Sequence, residues 1–228
     1  EVVAWAQAHG VREILAYTPA KPDLVWLRDL RTRSAAVGIS LAALGGEPTW
    51  TTQHAPALAW VRAVAATGLF DAVHVDVEPH ALAAWQTDRV RTAQQYVTLL
   101  EKLAAATTLK LEADVAFWYG EVLLPKKQNL ADEVLRRVDA VTVMSYRDTV
   151  TGPNSVTAVG ADFLRRGAAA RKPVLGAENV ARFLLGVMVK NPELSVEPLE
   201  TTDGAAFAIR RDGPVIGVVN LGVTAGRV

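Results

Sequence analysis

The stretch "FDAVHVDVEPH", Phe70–His80, alternates two kinds of side chain along one short segment. β-Branched residues occupy every second position, at Val73, Val75 and Val77. Each of them is followed by a titratable residue, namely His74, Asp76 and Glu78. Strict alternation of this kind predicts a β-strand with one apolar face and one polar face. A strand that carries two carboxylates on one face is a candidate for both core packing and chemistry.

The rest of the chain alternates β-rich runs with longer stretches of helical spacing, which predicts βα units and a parallel sheet. No GxGxxG follows the first strand, so a TIM-type (β/α)8 barrel is favoured over a dinucleotide-binding sheet, with a doubly wound open sheet as the alternative. The predicted strands are Arg12–Thr18, Gly38–Gly45, Ala72–Pro79, Leu109–Trp118, Ala140–Tyr146 and Lys172–Asn179.

The C-terminal segment, residues 194–228, departs from the βα pattern. "AAFAIRR" and "PVIGVVNL" flank a DG pair, which predicts an antiparallel hairpin. We therefore expect one barrel domain over residues 1–228 that ends in an atypical segment. Its barrel either lacks a strand or has its first strand before Glu1.

Composition excludes several classes of function. Lys and Arg number 24 and Asp and Glu number 24 in 228 residues, so a nucleic-acid partner has no electrostatic support. The absence of cysteine removes thiolate metal sites and disulfides. No apolar run is long enough for membrane insertion. The abundance of Ala and Arg suggests a bacterial origin.

Polar and aromatic residues recur where the predicted strands end. The carboxyl ends of parallel barrel strands form one mouth, and a sugar site needs carboxylates and aromatic faces there. We therefore expect an oligosaccharide or polysaccharide partner and no cofactor. The predicted catalytic residues are Glu78 and Asp76; the predicted substrate-binding residues are His74, Tyr146, Glu178, Asp114, Trp118, Tyr17 and Asp148, and no metal ligand is predicted.

"DAVHVDVE" resembles the D-G-x-D-x-D-x-E signature of chitinase-like glycoside hydrolases of family 18, in which Asp71, Asp76 and Glu78 match. "VMSYRD" is similar to the M-T-Y-D motif of that family, two strands later. The resemblance implies that Glu78 is the general acid, that Asp76 stabilises the substrate's 2-acetamido group and that Tyr146 hydrogen-bonds the same group. It also implies a secreted or periplasmic location.

The match departs from the signature at three positions. His74 replaces the middle aspartate, Ala72 replaces the glycine and Val77 replaces the tryptophan. With His74 beneath Asp76, a carboxylate–imidazole pair would replace the usual carboxylate pair and favour an ionised Asp76. This chain is thus expected to be a divergent relative.

A second hydrolytic mechanism uses Glu178 as the nucleophile, with Glu78 as acid and base. The separation of the two carboxylates distinguishes the mechanisms, because direct attack requires about 5 to 5.5 Å and an attacking water requires more.

Two further classes remain open. A metal-dependent hydrolase would use His74 and Asp76, but alternate donors on one strand lie about 6.5 to 7 Å apart and need ligands from other strands. A catalytically inactive barrel that binds glycan, or serves in a larger assembly, would need only the aromatic residues.

Overall fold

A computed structural model describes residues 2–147, 151–176, 194–201, 204–211 and 215–221, the last three segments as backbone. The chain divides into two compact units, one of Glu1–Met144 with Val159–Gly176 and one of Ser145–Ala158 with Ala177–Val228. The predicted Asp148 and Glu178 lie outside the described residues.

The first unit contains six parallel strands in the sequential order β1-β2-β3-β4-β5-β6. A strand order without reversal is the winding of a barrel, whereas a doubly wound sheet reverses direction at a switch point. The (β/α) barrel class is therefore confirmed, with six parallel strands in the described part of the chain. The strands are β1 (Glu13–Tyr17), β2 (Ser40–Gly45), β3 (Ala72–Val75), β4 (Lys110–Ala116), β5 (Ala140–Met144) and β6 (Val174–Gly176).

Seven helices are described, and several begin at a side-chain cap. Asp23 accepts hydrogen bonds from the first N–H groups of α2, as Asp88 does for α5 and Asn129 for α6. None of the described helices is long and apolar enough to cross a membrane. The helices are α1 (Val2–Ala8), α2 (Leu24–Ala36), α3 (His54–Thr67), α4 (Ala83–Thr87), α5 (Arg89–Ala106), α6 (Leu130–Arg137) and α7 (Val156–Ala170).

All four residues of β3 are buried, as expected for a parallel strand that is covered on both faces. Val73 and Val75 are fully inaccessible and His74 is 1% exposed. The strand ends four residues earlier than the sequence predicts, because its partner β2 ends at Gly45, which pairs with Val75. Asp76 and Glu78 therefore lie just beyond the strand.

The second unit contains a three-stranded antiparallel sheet in the order β7-β8-β9, with β7 at Leu194–Thr201, β8 at Gly204–Arg211 and β9 at Val215–Leu221. The predicted hairpin corresponds to β8 and β9, which are paired antiparallel. β7 was not predicted; its Pro198 fits an edge strand, where a missing N–H costs no ladder bond.

Candidate active site

The two predicted catalytic carboxylates follow the carboxyl end of β3. Asp76 is exposed and the Glu78 side chain is 39% exposed, so both are accessible to a ligand. Val77 between them is 1% exposed and packs in the core. This alternation places two accessible carboxylates at the edge of the sheet where parallel α/β proteins bind their ligands.

The backbone around Asp76 is fixed by two glycines at the end of β2. The Asp76 N–H donates to the Gly45 carbonyl at 3.0 Å. A Cβ at Gly46 would overlap the backbone carbonyl of Asp76, and one at Gly45 would lie 2.5 Å from the Trp60 ring. Only glycine allows the β2 end to approach this closely, so the pair positions the segment that carries Asp76.

His74 is held between two carboxylates of the neighbouring strand. Its Nδ1 lies 3.2 Å from Glu112 Oε2 and its Nε2 lies 3.1 Å from Asp114 Oδ2. The side chains of Glu112 and Asp114 are 11% and 15% exposed. Nδ1 is hydrogen-bonded to Glu112, whereas Nε2 only lies near Asp114. Two carboxylates this close to the ring favour its positively charged form. The two carboxylates at these distances belong to β4, and the expected pairing of His74 with Asp76 stays a prediction.

An aromatic cluster lies beside Glu78. The His80 ring contacts Trp118 edge-on with centroids 5.3 Å apart, and Trp118 in turn contacts Trp85 at 5.7 Å and Tyr119 at 5.2 Å. Trp85 and Tyr119 are buried, whereas Trp118 is half-buried. Among the two tryptophans and the tyrosine of this cluster, Trp118 is therefore the one that is partly exposed.

Two buried tyrosines, Tyr96 and Tyr119, lie near the site carboxylates. Burial raises the pKa of Tyr96, and the negative charges of Asp114 and Asp76 raise it further. Burial likewise raises the pKa of Tyr119 well above its usual value, with contributions from Tyr96, Glu78 and Asp76. Both phenols are thus protonated donors. The Tyr96 hydroxyl is fully buried and has no hydrogen-bond partner among the described residues.

The other predicted site residues are placed as follows. Tyr17 is half-buried at the end of β1, and Asp114 lies in β4 against His74. Tyr146 is 49% exposed and belongs to the second unit, where Arg147 donates to its carbonyl at 2.8 Å. Their contacts with a substrate stay predictions.

Asp71, the first aspartate of the signature, lies at the opposite end of β3 from Glu78. It accepts two hydrogen bonds from Arg31 and one from the Leu41 N–H at 3.0 Å. The Arg31 hydrogen bond is the main reason that the pKa of Asp71 is lowered. Asp71 therefore ties α2 and β2 to the start of β3 and has a structural role.

Sequence reasoning missed two residues near the site. Glu112 pairs with His74 in the register of β3 and β4, and alternates with Leu111 and Ala113 in the same way as Asp114 does. This alternation of polar and apolar residues along β4 could have indicated Glu112 from the sequence. His80, which is not among the predicted site residues, lies against Glu78 and the aromatic cluster.

Metal binding gains no support from this geometry. Among the described residues, no group of three or more His, Asp or Glu side chains is arranged to hold an ion. His74 instead has a carboxylate at each ring nitrogen.

A cavity of about 750 Å³ lies elsewhere, between α6 and α7, and its lining includes none of the site residues. Its arginines are paired with carboxylates: Arg136 with Glu133, and Arg166 with Asp132 and Asp162. The Arg166–Asp132 pair joins the two helices and the other two pairs lie within one helix each, which explains the charged lining without a ligand.

The strand order and the carboxylates beyond β3 define a barrel-type α/β protein with an acidic site at the carboxyl edge of its sheet. Solved structures share this fold. A chitinase from Chromobacterium violaceum has a TM-score of 0.52 at 13% identity, covering 94% of this chain and 80% of that chain. A class V chitinase from Nicotiana tobaccum has a TM-score of 0.51 at 14% identity, covering 90% and 80%.

The spore cortex-lytic enzyme SleL from Bacillus megaterium has a TM-score of 0.51 at 10% identity, covering 92% of this chain and 58% of that chain. No family model matches the chain, and no curated protein matches its sequence. The chain thus shares its fold with these chitinases, and that fold is the barrel type that the sequence predicts.

Proposed function

We propose that this chain is a glycoside hydrolase in which Glu78 is the general acid and Asp76 is its stabilising partner. The observation that supports the proposal is the pair of accessible carboxylates just beyond β3, on a chitinase-like fold. Acid catalysis requires a carboxyl group that a substrate can reach, and the exposure of Glu78 beside the aromatic cluster supports this role.

In the proposed reaction, Glu78 protonates the oxygen of the leaving sugar as the glycosidic bond breaks. The exposed carboxylate of Asp76 stabilises the positive charge that develops at the anomeric carbon, or orients a 2-acetamido group that attacks it. Because similar structures include chitinases, oligosaccharides of N-acetylated sugars are the first substrates to test. We propose Trp118 as a ring platform, and Tyr17, Tyr146 and Asp114 as further ligand contacts.

His74, Asp148 and Glu178 stay candidates for ligand binding, and Glu178 stays the candidate nucleophile of the alternative mechanism. Because His74 is buried, its position favours an indirect role, in which it orients the Asp114 carboxylate and does not itself contact the ligand.

Glycan binding without turnover is the second candidate function. It is favoured by His74, which stands where the family signature has an aspartate and which is engaged by Glu112 and Asp114. Such a module would bind sugar through Trp118 and its neighbours and leave the glycosidic bond intact.

The test compares hydrolysis and binding in Glu78→Gln and in a matched control, Glu101→Gln, whose carboxylate lies on α5 and is 69% exposed. We expect Glu78→Gln to lower turnover of an N-acetylated oligosaccharide by about 10²- to 10⁴-fold while binding is retained. The control should match the wild type. Unchanged turnover in Glu78→Gln contradicts the proposed acid, and binding without turnover in the wild type supports the second candidate.

A further inference from the structure

The imidazole of His80 lies directly beside the carboxylate of Glu78. His80 Nε2 is 3.8 Å from Glu78 Oε1. Both residues belong to a tight turn in which the Ala81 N–H donates to the Glu78 carbonyl at 3.0 Å, and the buried Pro79 between them restricts the backbone. The turn therefore holds the two side chains next to each other.

The other side of the His80 ring is anchored. Its Nδ1 lies 3.1 Å from the Tyr119 hydroxyl, and its plane stands at 76° to the rings of Trp85 and Trp118. Because burial raises the pKa of Tyr119, its hydroxyl keeps its proton and has that proton available to donate to Nδ1. A neutral imidazole that accepts at Nδ1 carries its own proton on Nε2, the nitrogen that faces Glu78.

The charged surroundings are consistent with a neutral ring. Burial lowers the pKa of His80, and the negative charge of Glu78 opposes that effect in part. Tyr119 is the titratable group that faces the ring from the turn after β4. Arg89, at the start of α5, lies 5.7 Å from the centre of the Trp85 ring.

We infer that His80 is a positioning residue that donates its Nε2–H to the carboxylate of Glu78, while Tyr119 selects the tautomer that makes this donation available. The inference rests on the proposed function of Glu78. Hydrogen bonds at active sites are often long before substrate binds and shorten afterwards, so 3.8 Å is a starting distance for this contact.

The contact acts on the carboxylate that the reaction produces. Glu78 gives its proton to the leaving oxygen, which also takes the bonding electrons of the broken glycosidic bond. The carboxylate left behind then accepts the Nε2–H of His80. It is returned to the acid when it takes a proton from the attacking water. His80 keeps its own proton throughout and stabilises the charge as it forms.

The first experiment measures kcat and KM separately for His80→Phe and His80→Gln. His80→Phe keeps an aromatic ring against Trp85 and Trp118 but lacks the N–H, and we expect kcat to fall by about 10- to 100-fold because a hydrogen bond to a charged group is lost. We expect little change in KM. His80→Gln supplies an amide N–H at similar reach and should recover much of kcat. A His80→Phe variant with wild-type kcat overturns the inference.

The second experiment needs no substrate. ¹⁵N NMR of the histidine rings should show His80 at neutral pH as the Nε2–H tautomer, and Tyr119→Phe should produce a mixture of tautomers. Glu78→Gln should shift the His80 Nε2 signal, whereas Glu101→Gln should not. The Nδ1–H tautomer, or a signal unaffected by Glu78→Gln, overturns the inference. If the wild type hydrolyses no sugar but shows the coupled signal, the proposed function fails and the contact is supported.

Discussion

Replacing His74 by leucine removes the imidazole that separates two nearly buried carboxylates. In the folded protein, Glu112 and Asp114 then face each other across an apolar side chain, and neither finds the cation that it contacts at 3.2 and 3.1 Å in the wild type. Breaking a buried ion pair in this way costs about 3 to 5 kcal/mol. Because the two carboxylates keep 11% and 15% exposure, we expect the lower end, about 3 kcal/mol.

The loss would be measured by urea unfolding, as a fall in the free energy of unfolding with an unchanged denaturant slope. A loss of about 3 kcal/mol is large against a total stability of about 5 to 15 kcal/mol. The control is Asp29→Asn, which breaks an ion pair with Arg33 whose partners are 58% and 59% exposed, and it should cost less than about 1 kcal/mol.

A triple variant sharpens this prediction. Replacing His74, Glu112 and Asp114 together by leucine removes every charge of the cluster, and an apolar replacement of a buried ion cluster is often neutral or stabilising. The triple variant should therefore be more stable than His74→Leu alone. The reasoning is refuted if His74→Leu costs less than about 1 kcal/mol, or if the triple variant is the less stable of the two.

Three other variants test the packing and ion pairs of the first unit. Gly46→Ala forces a methyl group onto the Asp76 backbone and should lower both turnover and stability, the latter by about 1 to 3 kcal/mol. Wild-type values of both would show that the end of β2 shifts to make room for the methyl group. Gly160→Ala, which meets open space in α7, should instead raise the free energy of unfolding by about 0.5 to 1 kcal/mol, and a loss would contradict the helical assignment. Asp71→Asn should lower stability at neutral pH by less than about 1 kcal/mol, since Arg31 lowers the pKa of a carboxyl that is partly exposed. Because the folded-state pKa is the lower one, this deficit is present above about pH 4 and should disappear as the pH falls through the folded-state pKa; a deficit that is independent of pH in acid unfolding curves would refute it.

Alternation along the chain was enough to predict the barrel strands. Val73 and Val75 are buried in a parallel strand as their spacing indicates, and the DG pair does lie between two antiparallel strands. These features depend on local sequence. The end of β3 could not be predicted in the same way, because it is set by where β2 stops at Gly45.

The partners of the site residues depend on register between strands, which the sequence does not state. Placing Glu112 opposite His74 requires the alignment of β3 with β4. The contact of His80 with Tyr119 requires two turns that follow different strands to meet. Asp71 matches a position of the signature, yet it forms an ion pair with Arg31 at the end of the strand opposite to Glu78, which the signature does not indicate.

The most direct test of the account is a crystal of the Glu78→Gln protein soaked with short β-linked oligosaccharides, some with and some without N-acetyl groups. The account predicts density for a sugar at the carboxyl end of β3, with a glycosidic oxygen within hydrogen-bond distance of residue 78 and a ring against Trp118. An acetamido group beside Asp76 would further support substrate-assisted hydrolysis. Sugar bound elsewhere, or an empty site across the whole panel, would contradict the claim that these carboxylates act on a glycan.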